Sequence, residues 1–305
     1  MQLLRLLSLS SAVSAAALVQ PRQACTNPEK RVEFRTLDAA AQKQYTDAVM
    51  CLATKPSGLN LGLNTTLYDD FSYVHTHLNK ITPDANHLLS PLLRHVPSLA
   101  PILRAALPRP AARMRLHRPH GLLGLVLDAA DTAHSSIWSL VGGNGGTDKV
   151  EKTGTQEWMC LTDGPFKDLR PAYNELEYAP HCLSRDFYDG KNRPGTMRGS
   201  AYDAAELKFI SERETYADFR LYLESIPHGS IHSAVGGQKG DLKPSSSPND
   251  PLFFCTTPRS TVSDQPPAGG VKSTLDDVMP FMGLAADIKI SEVMTTQNDL
   301  LCYTY

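Results

Sequence analysis

Residues 68–79 read YDDFSYVHTHLN, and Phe71, Val74, His75 and Leu78 recur in it at spacings of three and four. That period puts the four side chains on one face of a helix, a single imidazole among apolar neighbours. A lone histidine on an apolar face is most simply a satisfied core residue, so His75 by itself decides little. The helical pattern recurs on both sides. Upstream, TLDAAAQKQYTDAVMCLA (36–53) sets Leu37, Ala41, Ala48, Val49 and Leu52 on one side, and Thr36 can cap it. Downstream, residues 205–226 carry Ile210, Ala217 and Leu221, with Glu212 and Glu214 as a solvated face, and Pro227 is expected to end that helix. No alternating run of comparable length argues for a long strand, so a mostly α-helical protein is expected.

The totals narrow the function classes. The 305 residues are 41% hydrophobic, enough for a real core, and a net charge of −2 with 20% charged residues offers no single-sign field for nucleic acid or an anionic membrane. The first 17 residues combine Arg5 with an apolar Leu, Ser and Ala stretch and small residues at 15–17, the pattern of a signal peptide cut near 17–20. A secreted protein without a membrane span is expected, with residues 25–305 as one domain. Six cysteines (Cys25, Cys51, Cys160, Cys182, Cys255, Cys302) are too dispersed for a zinc ribbon and suit disulfides. Their pairing is left open, with Cys51 and Cys302 expected among the structural ones. A sequon at Asn64-Thr65-Thr66 fits the same compartment.

PHGSIHSAVGG (227–237) holds His228 and His232 four residues apart, one turn on a helix, where both imidazoles can share a metal. Two surface or capping histidines would read the same way. Asp250 in SPNDPLFF (247–254) is expected to cap the helix that follows rather than act as a catalytic acid. No GxSxG turn or HExxH motif supports a hydrolase.

Two stretches use a different vocabulary. Residues 85–127 contain no Asp, Glu, Lys, Phe, Tyr or Trp but many Arg, Pro, Leu and Ala, and residues 255–270, CTTPRSTVSDQPPAGG, are a run of loop residues directly after an apolar one. Both read as proline-rich linkers at face value.

The remaining segments resemble the tyrosinases and related type 3 copper oxidases, particularly short secreted fungal ones. The resemblance is carried by the amino-terminal CTNPEKRVEFRTL, by YDDFSYVH, AHSSIW (133–138), DGPFKDLRPAY (163–173), HCLSRDF (181–187), PHGSIHSAVGG and SPNDPLFF, and by the ending LDDVMPFMGLAADIKISEVMTTQNDLLCYTY. It implies a four-helix bundle with long loops and few short strands around two copper ions, each held by three histidines. It implies oxidation of o-diphenols, and in some members monophenols, to o-quinones with dioxygen. Small phenols and dioxygen are then the partners, with neither nucleic acid nor membrane; the oligomeric state is left open. His75 matches a ligand of the first copper, and His228 and His232 match two ligands of the second. Several strong monophenol hydroxylases of the family have asparagine after the first histidine of HxxxH, where this chain has Gly229, so the resemblance favours diphenol oxidation and leaves monophenol hydroxylation open.

The family's FLPWHR, ECGYTG, YWDW and LHH strings are missing, and each gap falls in one of the two odd stretches. Reverse translation recovers them. GLLGLV from Gly121 can be encoded GGC CTA CTG GGA CTG GTN, which read one base on gives AYWDW; VPSLAP from Val96 shifts to FLPWHR, and RMRLHR from Arg113 to ECGYTG. FCTTPRSTVS from Phe254, shifted by two bases, reads LHHAQVDRL. Segments 85–127 and 255–270 are therefore read as out of frame. The missing ligands decode at Ala100 and Thr256, and Ser90 can decode as the middle ligand of the first site. His87, His95, His117 and His120 are then products of the wrong frame; Cys255 is an artefact, and Met114 decodes as the cysteine of ECGY. No residue from Arg118 to Val126 is expected to carry a role as printed, and 85–127 is expected to lack a defined fold. As written, the bundle and ligand set are incomplete and the chain is expected to be inactive; the alternative is a non-catalytic secreted helical binding protein or a pseudogene product.

Overall fold

The computed structural model describes residues 25–81, 121–191, 193, 195–256 and, except 277, 285, 294, 299 and 300, residues 276–304. Helix α1 (Ala39–Leu52) starts on Asp38, whose carboxylate accepts the Ala41 N–H at 2.8 Å. The cap is thus Asp38 and not Thr36, because Phe34–Thr36 forms a 3-10 turn that places Asp38 at the helix entry. Helix α2 (Leu67–Ile81) starts with Thr66 and Asp69 in reciprocal contact: the Thr66 N–H and hydroxyl both donate to the Asp69 carboxylate at 2.7 Å. Phe71, Val74 and Leu78 are buried as the periodicity predicts.

A one-turn helix α3 (Trp138–Val141) and two short hairpins follow. β2 (Val150–Thr153) pairs with β3 (Gln156–Met159), and β4 (Tyr173–Asn174) with β5 (Glu177–Tyr178), both antiparallel. The expected helix over 205–226 is two, α4 (Ala204–Ser211) and α5 (Tyr216–Leu223), separated where Thr215 recaps the chain by accepting the Asp218 N–H. Pro227 does not end it. A π turn (Glu224–His228) takes the proline, and α6 (Gly229–Gly236) continues to Gly237. The wider π turn leaves room for the pyrrolidine ring and for its missing N–H, which a regular α turn does not.

One core joins these pieces: Tyr45, Val49 and Leu52 of α1, Tyr68 and Phe71 of α2, Trp138, Phe166, Phe187, Ile231 and Val235 of α6, and Leu252 and Phe253. β1 (Glu29–Lys30) pairs in parallel with β8 (Tyr303–Thr304), and Cys25–Cys302 ties the same two ends; a short antiparallel pair, β6 (Val278–Met279) with β7 (Ile288–Lys289), precedes β8. Cys160–Cys182 is the second disulfide, while Cys51 and Cys255 are free thiols, so the expectation for Cys51 is corrected.

Residues 121–127 are placed rather than undefined. Leu122 pairs with the chain at Val32 and Phe34 through 2.8 Å backbone bonds, and a Cβ on Gly121 would stand 2.5 Å from the Phe34 ring. The expectations for residues 1–17, 85–120 and 257–270, including Ser90, Ala100, Met114, His87, His95, His117 and His120, lie outside the described residues.

Candidate metal centre

His75 projects from the third turn of α2, and its Nδ1 meets the Ser245 carbonyl at 2.6 Å. His232, in α6, sets its Nδ1 on the Leu242 carbonyl. A carbonyl oxygen only accepts, so in each neutral ring the proton sits on Nδ1 and the lone pair on Nε2. This is the arrangement metal-binding imidazoles use, with the second nitrogen fixed by an outer partner. One loop, 242–245, supplies both carbonyls.

His228 ends the π turn, and its Nε2 lies 3.1 Å from Nε2 of His232. Two nitrogens at about 2.0–2.1 Å from one ion stand about that far apart, so the nitrogen spacing suits a shared metal once the proton between them has left. Its other nitrogen, Nδ1, faces the Glu224 carboxylate at 3.5 Å. Helical spacing brings Glu224 there, four residues earlier and across the π turn. Among the described residues no third His, Cys, Asp or Glu ligand atom lies within 4.8 Å of both His228 and His232, so His75 does not complete a three-ligand set with that pair as placed.

The rings flank one side chain. Phe253 presents edges to His75 at a centroid distance of 5.0 Å and to His232 at 6.0 Å. Phe253 is positioned by the turn Pro251–Phe254, which Asp250 caps through the Leu252 N–H at 3.0 Å. Capping is thus the observed job of Asp250, and it has a second: both its oxygens meet Arg185, at 2.7 and 2.9 Å, in a fully buried ion pair. Thr256, two residues past that turn, is buried and donates its hydroxyl to the Phe253 carbonyl at 3.0 Å. A neutral threonine hydroxyl does not replace the imidazole that the resemblance implies at this position.

Three other groups look like sites and are not. Glu151, Cys160 and Cys182 cluster, but both sulfurs are consumed in a disulfide. His181 is fully buried, donating from Nδ1 to the Ala179 carbonyl (2.6 Å) and from Nε2 to Asp241 (2.9 Å) while stacked on Trp158. With both nitrogens donating it is an imidazolium and has no lone pair for a metal. Burial alone would lower its pKa, but the Asp241 carboxylate, the Ala179 carbonyl and Glu151 together raise it. Glu212 and Glu214 are solvent-exposed, as expected.

His228 and His232 are legible from their spacing and His75 only from the resemblance; His75 and His232 flank Phe253, and His228 joins them through His232. Glu224 was signalled only by its position four residues before His228, and the orienting carbonyls by nothing, because backbone atoms carry no residue identity.

The family model described as the common central domain of tyrosinase matches residues 128–256. The tyrosinase-like protein phomQ2 of Diaporthe leptostromiformis is 31% identical over 92% of this chain and 74% of its own length, and the tyrosinase ustQ of Aspergillus flavus is 30% identical over 92% and 80%. A mutant polyphenol oxidase from Thermothelomyces thermophila shares the fold, with a TM-score of 0.68 over 91% of this chain and 88% of that one at 19% identity. No helix among the described residues is long and apolar enough to cross a membrane. The helical architecture with few short strands, the imidazoles around Phe253 and these relatives agree, and the chain belongs to the tyrosinase family.

Proposed function

We propose that the protein is a secreted copper oxidase of small phenols, converting o-diphenols to o-quinones with dioxygen, whose printed chain carries two segments translated out of frame. The single observation that carries the copper reading is the geometry of His75, His228 and His232: two rings with Nδ1 held on carbonyls of one loop, and two Nε2 atoms 3.1 Å apart. His228 and His232 would hold one ion and His75 contributes to the other. Bound copper supplies electron transfer between phenol and dioxygen.

The chain's own residues handle the protons. In the metal-free pair, His232 has no proton on Nε2, so the His228 Nε2–H points at it and occupies the gap. Loading the pair requires that proton to leave Nε2, and the Glu224 carboxylate beside Nδ1 receives the N–H of the other tautomer. Position 229, next to His228, is glycine and offers no polar side chain of its own, and the preference for diphenols rests on that residue type alone.

The frame reading draws support from where the family match begins and ends. Residues 128–256 are the stretch between the two odd segments, give or take two residues. The test is to sequence the transcript and to express both the printed chain and one restored in the shifted frames. The expected result is a transcript encoding FLPWHR and LHH, with catechol oxidation by the restored chain and none by the printed one. A restored chain that folds, takes up copper and leaves catechol untouched contradicts the activity.

A further inference from the structure

Glu175 stands at the tip of the β4–β5 hairpin with φ +56°, a left-handed conformation that turns normally give to glycine or asparagine. A glutamate there costs backbone energy that its side chain must offset. Both of its carboxylate oxygens engage Ser245: Oε1 accepts the Ser245 N–H at 3.1 Å, and Oε2 accepts the Ser245 hydroxyl. Its own N–H donates to the Ser246 hydroxyl at 3.1 Å, and Lys80 of α2 closes on Oε2 at 3.1 Å. Ser245 is the residue whose carbonyl accepts the hydrogen bond from the His75 Nδ1–H.

Two independent observations, an unfavourable backbone conformation and convergent polar contacts, therefore meet one residue away from a ligand. We propose that Glu175 is the positioning residue for His75: it fixes Ser245 so that the carbonyl selects the Nδ1–H tautomer and leaves Nε2 as the donor. Lys80 runs the contact back to the helix that carries His75, closing a ring from α2 through Glu175 and Ser245 to α2 again. The inference rests on the reading of His75 as a copper ligand, but its geometry is a property of the metal-free protein.

The test uses the full-length chain without metal, labelled with 15N-histidine, and reads the tautomer of His75 from its ring nitrogen shifts, with His75→Ala identifying the signals. Glu175→Gly relieves the left-handed backbone and removes the carboxylate, so a purely structural role predicts an unchanged or stabilised protein with the same tautomer. The proposal predicts a folded protein in which the His75 nitrogens average between the two tautomers. Glu175→Gln, whose amide still accepts from the Ser245 N–H, keeps the wild-type shifts. If Glu175→Gly does not fold, Glu175→Asn, which favours the same backbone but is too short to span to Ser245, carries the same prediction. A locked Nδ1–H tautomer in either folded variant overturns the proposal. Failure of the wild-type and restored chains to bind copper would overturn the copper reading and leave this result standing. In a restored chain the same substitution is expected to weaken copper at the His75 position about 10–100-fold.

Discussion

The loop Asp241–Asp250 and the segment Gly121–Leu127 both lie against the core, but different atoms hold them. In the first, side chains do the holding: Asp241 meets His181, the Ser184 N–H and Asn249, Asn249 also donates to the Tyr173 carbonyl, and Asp250 takes Arg185. In the second, the partners are mainly backbone: Leu122 N–H to Val32, Phe34 N–H to Leu122, Leu123 N–H to the Cys255 carbonyl. Leu123 and Leu125 cover the core edge, while Val126 and Leu127 are 45% and 71% exposed. Directly after the segment, Asp128 takes Arg35 at 2.8 Å, and specific polar pairing resumes. Backbone pairing is blind to side chains and survives a change of reading frame; a buried polar network does not. The contrast is the one expected of the proposed frame boundary near residue 127.

The largest effect that can break this contrast lies at Arg185. Arg185→Met leaves Asp250 as an unpaired buried charge and is expected to cost about 3–5 kcal/mol in urea unfolding. A loss under about 1 kcal/mol would mean that the loop is not held by its side chains.

An intermediate effect is expected from pH. The folded pKa of His181 is raised above its ordinary 6.5, so its contribution is fully present below that value and is lost as pH rises through the folded pKa. Thermal midpoints should fall between pH 6 and pH 9, and Asp241→Asn should flatten the dependence. A wild-type midpoint that rises over the same interval would contradict the imidazolium assignment.

The smallest effect sharpens the other side. Replacing Val126 and Leu127 by serine should change stability by no more than about 0.5 kcal/mol, because both side chains face solvent. A cost above about 2 kcal/mol would show that the printed side chains are used.

Helices were legible where one face is apolar, as in α2, and the HxxxH pair was legible because helical spacing alone brings the rings together. Pro227 was misread because a π turn, invisible to residue type, removes the clash that makes proline a stop. Asp38 was passed over for Thr36 because both are capping residues, and only the 3-10 turn between them decides. Cys51 was misread because a cysteine's spacing says nothing about its partner's distance. Arg185, Glu175 and the Leu242 and Ser245 carbonyls were silent: their partners are 65 to 170 residues away in sequence for Arg185, Glu175 and Ser245, and the carbonyls belong to every residue type.

The central claim is a tyrosinase-type copper centre whose ligand set is broken by frame. Copper per chain, measured on the purified printed and restored chains after equilibration with copper and dialysis, tests it most directly. The account predicts two ions in the restored chain and no more than one in the printed chain, that one lost in the His228→Ala, His232→Ala double variant. Two ions held by the printed chain would contradict it.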